Sequence, residues 1–181
     1  MFFPVPDYMF NRFEEITPAF LTALGVRCLL CDIDNTLVTY DDVLPTESVL
    51  RWLSSLKEAD ILVILLSNNK HERVLRFAEG LDLAWVAKAG KPLIKKARKA
   101  LKEAGIPPKR TAVLGDQLFT DVWVGKFLGA AATLTVSPIR DKKSLFVRGK
   151  RFLERPFIAF YKRREAKKQK FGQKSGQKEE R

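Results

Sequence analysis

Five short apolar stretches punctuate this chain, Arg27 to Cys31, Ile61 to Leu66, Ala84 to Ala87, Thr111 to Leu114 and Ala131 to Val136, and segments of helical periodicity separate them. Strands that are apolar along their whole length are buried on both faces, and helices between them supply the crossovers of a parallel sheet. The alternation predicts an α/β domain, a parallel sheet sandwiched by helices. Val49, Leu50, Trp52, Leu53 and Leu56 recur at helical spacing behind Thr46, a candidate N-cap, and that helix is expected to end near Ala59. Val74, Leu75, Phe77 and Ala78 make a second apolar face closed by Gly80, and Leu93, Ile94, Ala97 and Leu101 a third closed by Gly105 with Pro107 beyond. A fourth helix is expected from about Thr120 to Leu128, stopped by Gly129.

Charge divides the chain unevenly. Residues 1–139 hold 17 Lys/Arg and 16 Asp/Glu, a net +1, whereas residues 140–181 hold 16 and 5, a net +11. A length of 181 residues suits one compact domain with an extension. The expected organisation is a core over 1–139 that begins with an N-terminal extension, a basic and aromatic segment over 140–161, and a flexible polybasic tail over 162–181. The longest aliphatic run, Ile61 to Leu66, is far too short to span a bilayer, and Met1-Phe2-Phe3-Pro4 has no signal-peptide pattern. A cytoplasmic location is expected. Cys28 and Cys31 form a C-x-x-C, but there is no second Cys/His pair, and the one histidine is His71. Zinc is not expected; on a strand the odd separation puts the two thiols on opposite faces, as buried reduced core residues. His71, after a Ser-Asn-Asn turn, is expected to serve at the surface or as a cap.

Each of four polar clusters follows a predicted strand: Asp32-Ile33-Asp34-Asn35-Thr36, Ser67-Asn68-Asn69, Lys91, and Gly115-Asp116 with Asp121. In an open parallel sheet, residues just past the carboxyl ends of the strands converge on one crevice. Carboxylates, a hydroxyl, backbone amides and one ammonium gathered there suit metal-assisted phosphoryl transfer. An aspartate attacking phosphorus forms an aspartyl phosphate and divides hydrolysis into two displacements, but the anions need a cation between them. Magnesium favours carboxylate and water ligands, which Asp32 and Asp116 offer, while Lys91 and Ser67 are candidates to neutralise and orient the phosphoryl oxygens. Asp34 is the candidate acid for the leaving group and base for water. Asp121 is placed to hold a metal-bound water or to position Lys91.

The series D-x-D-x-T, Ser after the second strand, Lys, and G-D-x-x-x-x-D resembles the four signatures of the haloacid dehalogenase (HAD) phosphatases. At finer scale residues 4–155 resemble the YqeG-type branch, which includes phosphatidylglycerophosphate phosphatases. The resemblance rests on Pro6-Asp7-Tyr8, Ile16-Thr17-Pro18, Asp32 to Val38, Ser67-Asn68-Asn69, Lys91-Pro92, and Gly115 to Val122. It implies a Rossmann-like, HAD-like fold, Asp32 as nucleophile, Asp34 as acid and base, and Mg2+ as cofactor. By the same resemblance the metal is held by Asp32, the backbone carbonyl of Asp34, Asp116 and Asp121, and the phosphate by Ser67, Asn68 and Lys91. Lys88 lies only three residues before Lys91 and is the competing lysine; Pro92 favours Lys91.

Thirty residues separate Thr36 from Ser67 and twenty-three separate Ser67 from Lys91, all needed for predicted helices and strands. A cap domain has no room. A capless crevice encloses a small substrate poorly, so the expectation is either completion by oligomer contacts or a large substrate that presents only its phosphate. Phe146, Val147, Phe152, Leu153, Phe157, Ile158, Phe160 and Tyr161 interleave with Lys143, Arg148, Lys150, Arg151, Arg155, Lys162, Arg163 and Arg164. That mixture suits an anionic membrane interface, and it also suits aromatics packed on the domain beside solvated basic residues. The leading expectation is hydrolysis of phosphatidylglycerophosphate by an enzyme peripherally bound to anionic phospholipid. A phosphatase of a soluble sugar or nucleotide phosphate would keep the same site; nucleic-acid binding by the tail would leave that site unexplained, and no nucleic-acid motif accompanies it.

Overall fold

The computed structural model describes residues 3–140, 149 and 152–166. Six parallel strands form one sheet in the order β1 (Tyr8–Phe10), β6 (Ala132–Val136), β5 (Thr111–Gly115), β2 (Cys28–Cys31), β3 (Leu62–Leu66), β4 (Ala84–Val86). Five of these lie on the apolar stretches from which strands were expected. The sixth, β1, was not expected: its three half-buried residues pair with Leu134, Thr135 and Val136. So short a run shows no periodicity of its own. What reads as an N-terminal extension is therefore an edge of the sheet.

Alternation along the strands builds two layers. Leu29, Cys31, Val63 and Leu65 face a core shared with α1 (Pro18–Ala23), α2 (Glu47–Glu58) and α3 (His71–Ala78). Cys28, Leu30, Ile64 and Leu66 face the opposite core, with α4 (Lys95–Glu103) and α5 (Trp123–Leu128). The two cysteines are free, buried and in different layers. Side-chain caps start the first two helices: the Thr17 hydroxyl accepts from the Phe20 N–H at 3.2 Å and the Thr46 hydroxyl from the Val49 N–H at 3.4 Å. The helix expected from about Thr120 opens two residues earlier, as a π-helical turn over Leu118–Val122 that continues into α5.

The chain runs outward from β2 through β3 to β4, then returns to the other side of β2 to form β5. That reversal leaves a crevice at the carboxyl ends of the adjacent strands β2 and β5. Asp32 follows the first and Asp116 the second. Between Thr36 and Ser67 lie α2 and β3, and between Ser67 and Lys91 lie α3 and β4, with no inserted domain.

Two compact units divide the chain, Met1–Asp141 and Lys142–Arg181. In the second, residues 152–166 are helical. Of the expected segment 140–161 and tail 162–181, residues 141–148, 150–151 and 167–181 lie outside the described residues. Among the described residues no helix is long and apolar enough to cross a membrane.

Candidate active site

Beyond β2 the backbone folds back on itself. The N–H groups of Leu37 and Thr36 donate to the Ile33 carbonyl at 2.9 and 3.2 Å, and the Asn35 N–H donates to the Val38 carbonyl at 2.7 Å. Asn35 adopts φ 67°, which asparagine tolerates better than most residues. Its carboxamide donates to the Arg140 carbonyl at 2.7 Å and accepts from the Arg140 N–H at 3.3 Å, closing the loop against the chain beyond β6. Asp32, whose N–H donates to the Leu114 carbonyl at 2.9 Å, is thus held between β2 and β5.

Lys91 occupies the centre. Its Nζ lies 2.6 Å from Asp32 Oδ1 and 2.6 Å from Asp121 Oδ1, and all three side chains are at most 9% exposed. Asp116 joins them: one carboxylate oxygen each from Asp32, Asp116 and Asp121 lie within 4.8 Å of one another. Lys91, rather than the exposed Lys88, is the lysine of the cluster. Its backbone is fixed by Asn68, whose carboxamide accepts from the Lys91 N–H at 2.7 Å and donates to the Lys91 carbonyl at 3.1 Å. Asn68, expected to bind phosphate, therefore uses its side chain to hold the lysine. Ser67 is buried at the end of β3, with its hydroxyl accepting from the Asn69 N–H at 3.1 Å and still able to donate.

Asp121 reaches Lys91 from the π-helical turn. Its second oxygen accepts from the Gln117 N–H at 3.2 Å and the Thr120 hydroxyl at 3.1 Å. The carboxylate passes so close to β5 that a Cβ on Gly115 would sit 2.2 Å from Asp121 Cγ. This explains the glycine of G-D-x-x-x-x-D: it clears the path of the last aspartate.

Burial pushes the Asp32 carboxyl up from its ordinary 3.8 to about 7, with the Asp121 charge adding to the rise and the Lys91 ammonium opposing it. Burial acts to lower the lysine, but the carboxylates of Asp121 and Asp32 outweigh it and hold Lys91 protonated. One ammonium among three buried carboxylates leaves an excess of negative charge. An all-oxygen donor set with excess negative charge fits a hard divalent cation such as Mg2+. Asp32, Asp116 and Asp121 are the side chains positioned to hold it.

Asp34 lies beside this cluster with different partners. Its Oδ1 accepts from Arg73 at 3.0 Å and its Oδ2 from Asn69 Nδ2 at 3.3 Å. Neither Arg73 nor the side chain of Asn69 stands out in the sequence as a partner of Asp34. Asn69 follows the Ser-Asn motif, which marks it as near the site; Arg73 sits 39 positions from Asp34 on α3, and no spacing signals the contact. His71 lies at the start of α3, exposed, with its ring centroid 4.8 Å from that of Trp85 in an edge-on contact.

Comparison with known proteins agrees with this arrangement. A sequence model of haloacid dehalogenase-like hydrolases matches residues 7–129. The Bacillus subtilis (strain 168) protein named "Probable phosphatase YqeG" is 33% identical over 162 residues, 90% of this chain and 94% of its own. The cobalt-bound deoxy-D-mannose-octulosonate 8-phosphate phosphatase of Haemophilus influenzae superposes with a TM-score of 0.52 at 18% identity, covering 70% of this chain and 75% of that one. An uncharacterised Listeria monocytogenes serotype 4b protein gives 0.53 at 14% identity, over 66% and 85%. These two likenesses are of fold. The sequence match over most of the chain, on a parallel sheet whose strand ends carry Asp32, Asp34, Ser67, Lys91, Asp116 and Asp121, places the chain in the haloacid dehalogenase-like hydrolase family.

Proposed function

We propose that this protein is a magnesium-dependent phosphatase that works through an aspartyl phosphate on Asp32 and acts on phosphatidylglycerophosphate to release phosphatidylglycerol. The observation that carries the chemistry is the buried group in which Lys91 bridges Asp32 and Asp121 beside Asp116. An Asp32 oxygen attacks phosphorus; the ester P–O bond breaks and its electron pair leaves with the alcohol oxygen, which takes a proton from Asp34. Water then attacks the same phosphorus, giving a proton to Asp34, and the bond to Asp32 breaks to release phosphate. Lys91 and the Ser67 hydroxyl hold the phosphoryl oxygens. Bound Mg2+ supplies further positive charge against the phosphoryl group and the attacking carboxylate.

The substrate class is supported by the capless crevice and by the net +11 carried by residues 140–181. The helix over 152–166 adds exposed apolar groups, with Phe152, Leu153 and Phe160 each about 60% exposed or more. A basic segment with exposed aromatics is suited to anionic lipid, at about 1 kcal/mol for each Lys or Arg near the surface. The test compares phosphatidylglycerophosphate in vesicles with sugar and nucleotide monophosphates, for the full chain and for one lacking residues 162–181. Faster hydrolysis of the lipid, reduced by truncation and by high salt, is expected. Equal or better hydrolysis of a soluble sugar phosphate, indifferent to truncation, would assign the protein to soluble substrates instead.

A further inference from the structure

Lys91 already supplies a cation for the scissile phosphate, yet a second one stands at the rim. Arg73 reaches Asp34 at 3.0 Å through one terminal nitrogen and the Val43 carbonyl at 3.1 Å through the other, with its guanidinium carbon 5.8 Å from the Phe77 ring centroid. Its side chain is 15% exposed, against 4% for Lys91. Val43 and Leu44, in the loop that Arg73 braces, are exposed. Arg73 therefore joins the proposed proton donor to the outer edge of the crevice.

We propose that Arg73 is a specificity-determining residue that reads a second anionic group on the alcohol part of the substrate. The inference deepens the phosphatase reading and rests on it, because Asp34 marks the place of the leaving oxygen. A proton donor sits at hydrogen-bond distance from the atom it protonates, and Arg73 grips the same carboxylate, so its guanidinium lies about 5–7 Å from the leaving oxygen. A group three to five bonds along the alcohol reaches that far. Arginine pairs with a phosphodiester or a carboxylate through paired N–H donors, and its charge persists at every working pH. A phosphodiester would come from a lipid-like headgroup, a carboxylate from an acidic sugar or hydroxy acid; the recognition chemistry is common to both.

Three soluble esters separate the possibilities: glycerol phosphate with no second anion, phosphoglycerate with a carboxylate, and glycerol bisphosphate with one phosphate methylated to a phosphodiester. For the full-length magnesium-loaded protein, kcat/KM is expected to favour at least one of the two-anion esters over glycerol phosphate by about tenfold, mainly through KM. Which of them is favoured identifies the headgroup or the acid as the source. In Arg73→Met this preference is expected to collapse toward one, and in Arg73→Lys to survive in part. Loss of Asp34 alignment would lower kcat for all three esters alike and divides out of the ratio. An unchanged ratio in Arg73→Met, or a wild-type protein with no preference for either two-anion ester, overturns the role for Arg73 while leaving the phosphatase reading standing. A wild-type protein that hydrolyses neither the three esters nor phosphatidylglycerophosphate in vesicles overturns both, and one that acts on the vesicle lipid alone overturns the predicted ester preference while leaving the phosphatase reading standing. The wild-type preference needs no variant, and Arg73→Lys keeps the charge should Arg73→Met fail to fold.

Discussion

Asp7 meets Lys126 at 2.6 Å, the same separation at which Asp32 meets Lys91. The two contacts do opposite things. Asp7, immediately before β1, also accepts from the Thr133 N–H at 2.9 Å and the Thr133 hydroxyl at 2.7 Å, so its carboxylate meets an ammonium together with neutral donors. Burial acts to raise the Asp7 carboxyl, but its partners Lys126 and Thr133 outweigh it and hold Asp7 below its ordinary 3.8. At Asp32 the single ammonium is shared with Asp121, Asp116 lies close by, and burial lifts the carboxyl to about 7. The first contact pins an edge strand to β6 and α5. The second is a crowd of like charges, an arrangement found more often at functional sites than in structural ion pairs.

The sharpest break in the comparison comes from removing the proposed nucleophile. Asp32→Asn is expected to lower phosphate release by at least about a thousandfold, measured at saturating magnesium. Its melting temperature in chelator should be no lower than that of the wild type, because the amide removes one of the crowded charges and still accepts from Lys91. A loss of stability there would mean that the Asp32 contact holds the fold as the Asp7 contact does.

Lys91→Met probes the same crowd from the other side. Leaving three buried carboxylates without their ammonium is expected to cost about 3–5 kcal/mol in chelator, read by urea unfolding. Magnesium should recover part of this loss, since a ligand bound only by the folded state stabilises it. Destabilisation indifferent to magnesium would argue against a cation held by Asp32, Asp116 and Asp121.

Gly115→Ala forces a Cβ to within 2.2 Å of Asp121 Cγ. Overpacking of this kind costs about 1–3 kcal/mol. The displaced Asp121 should also reduce turnover more than tenfold by about the same energy lost from the transition state. Retention of full activity would show that Asp121 need not hold its place against β5.

Asp7→Ala is expected to lower stability by about 2 kcal/mol, with the lost bonds to buried Thr133 weighing more than the half-exposed ion pair. In a protein of this size that is roughly 4–8 °C in melting temperature. Because the folded-state value of Asp7 lies below its ordinary 3.8, its contribution is present above about pH 4 and is lost as the pH falls through the folded value. The gap between wild type and variant should therefore narrow in acid, the smallest effect of the series. A gap that persists unchanged far below pH 4 would mean that the Asp7 carboxylate charge contributes nothing.

Sequence reading served well where a residue's place follows from its neighbours in the chain. Asp32, Ser67 and Asp116 each come directly after an apolar run, so convergence follows once the runs are parallel strands. It served poorly where a state depends on a distant partner. Tyr8–Phe10 is a strand only because Leu134–Val136 lies alongside it. The hold of the Asn68 carboxamide on the backbone of Lys91, 23 positions on, has no local signal. The choice of Lys91 over Lys88, made on the neighbouring Pro92, agrees with the structure, in which Lys91 turns inward to Asp32 and Asp121.

By itself the sequence determined the α/β architecture, the opposite burial of Cys28 and Cys31, and the set of strand-end groups, because periodicity and strand-end position are local properties that survive in any arrangement of the elements. Tertiary structure alone decided which charges are shared. That one ammonium serves Asp32 and Asp121, that Gly115 clears the path between them, and that Arg73 grips Asp34 from α3 depend on how β2, β3 and β5 lie side by side. Electrostatic energy depends on separations through space, and residues tens of positions apart acquire those separations only when the sheet closes around them.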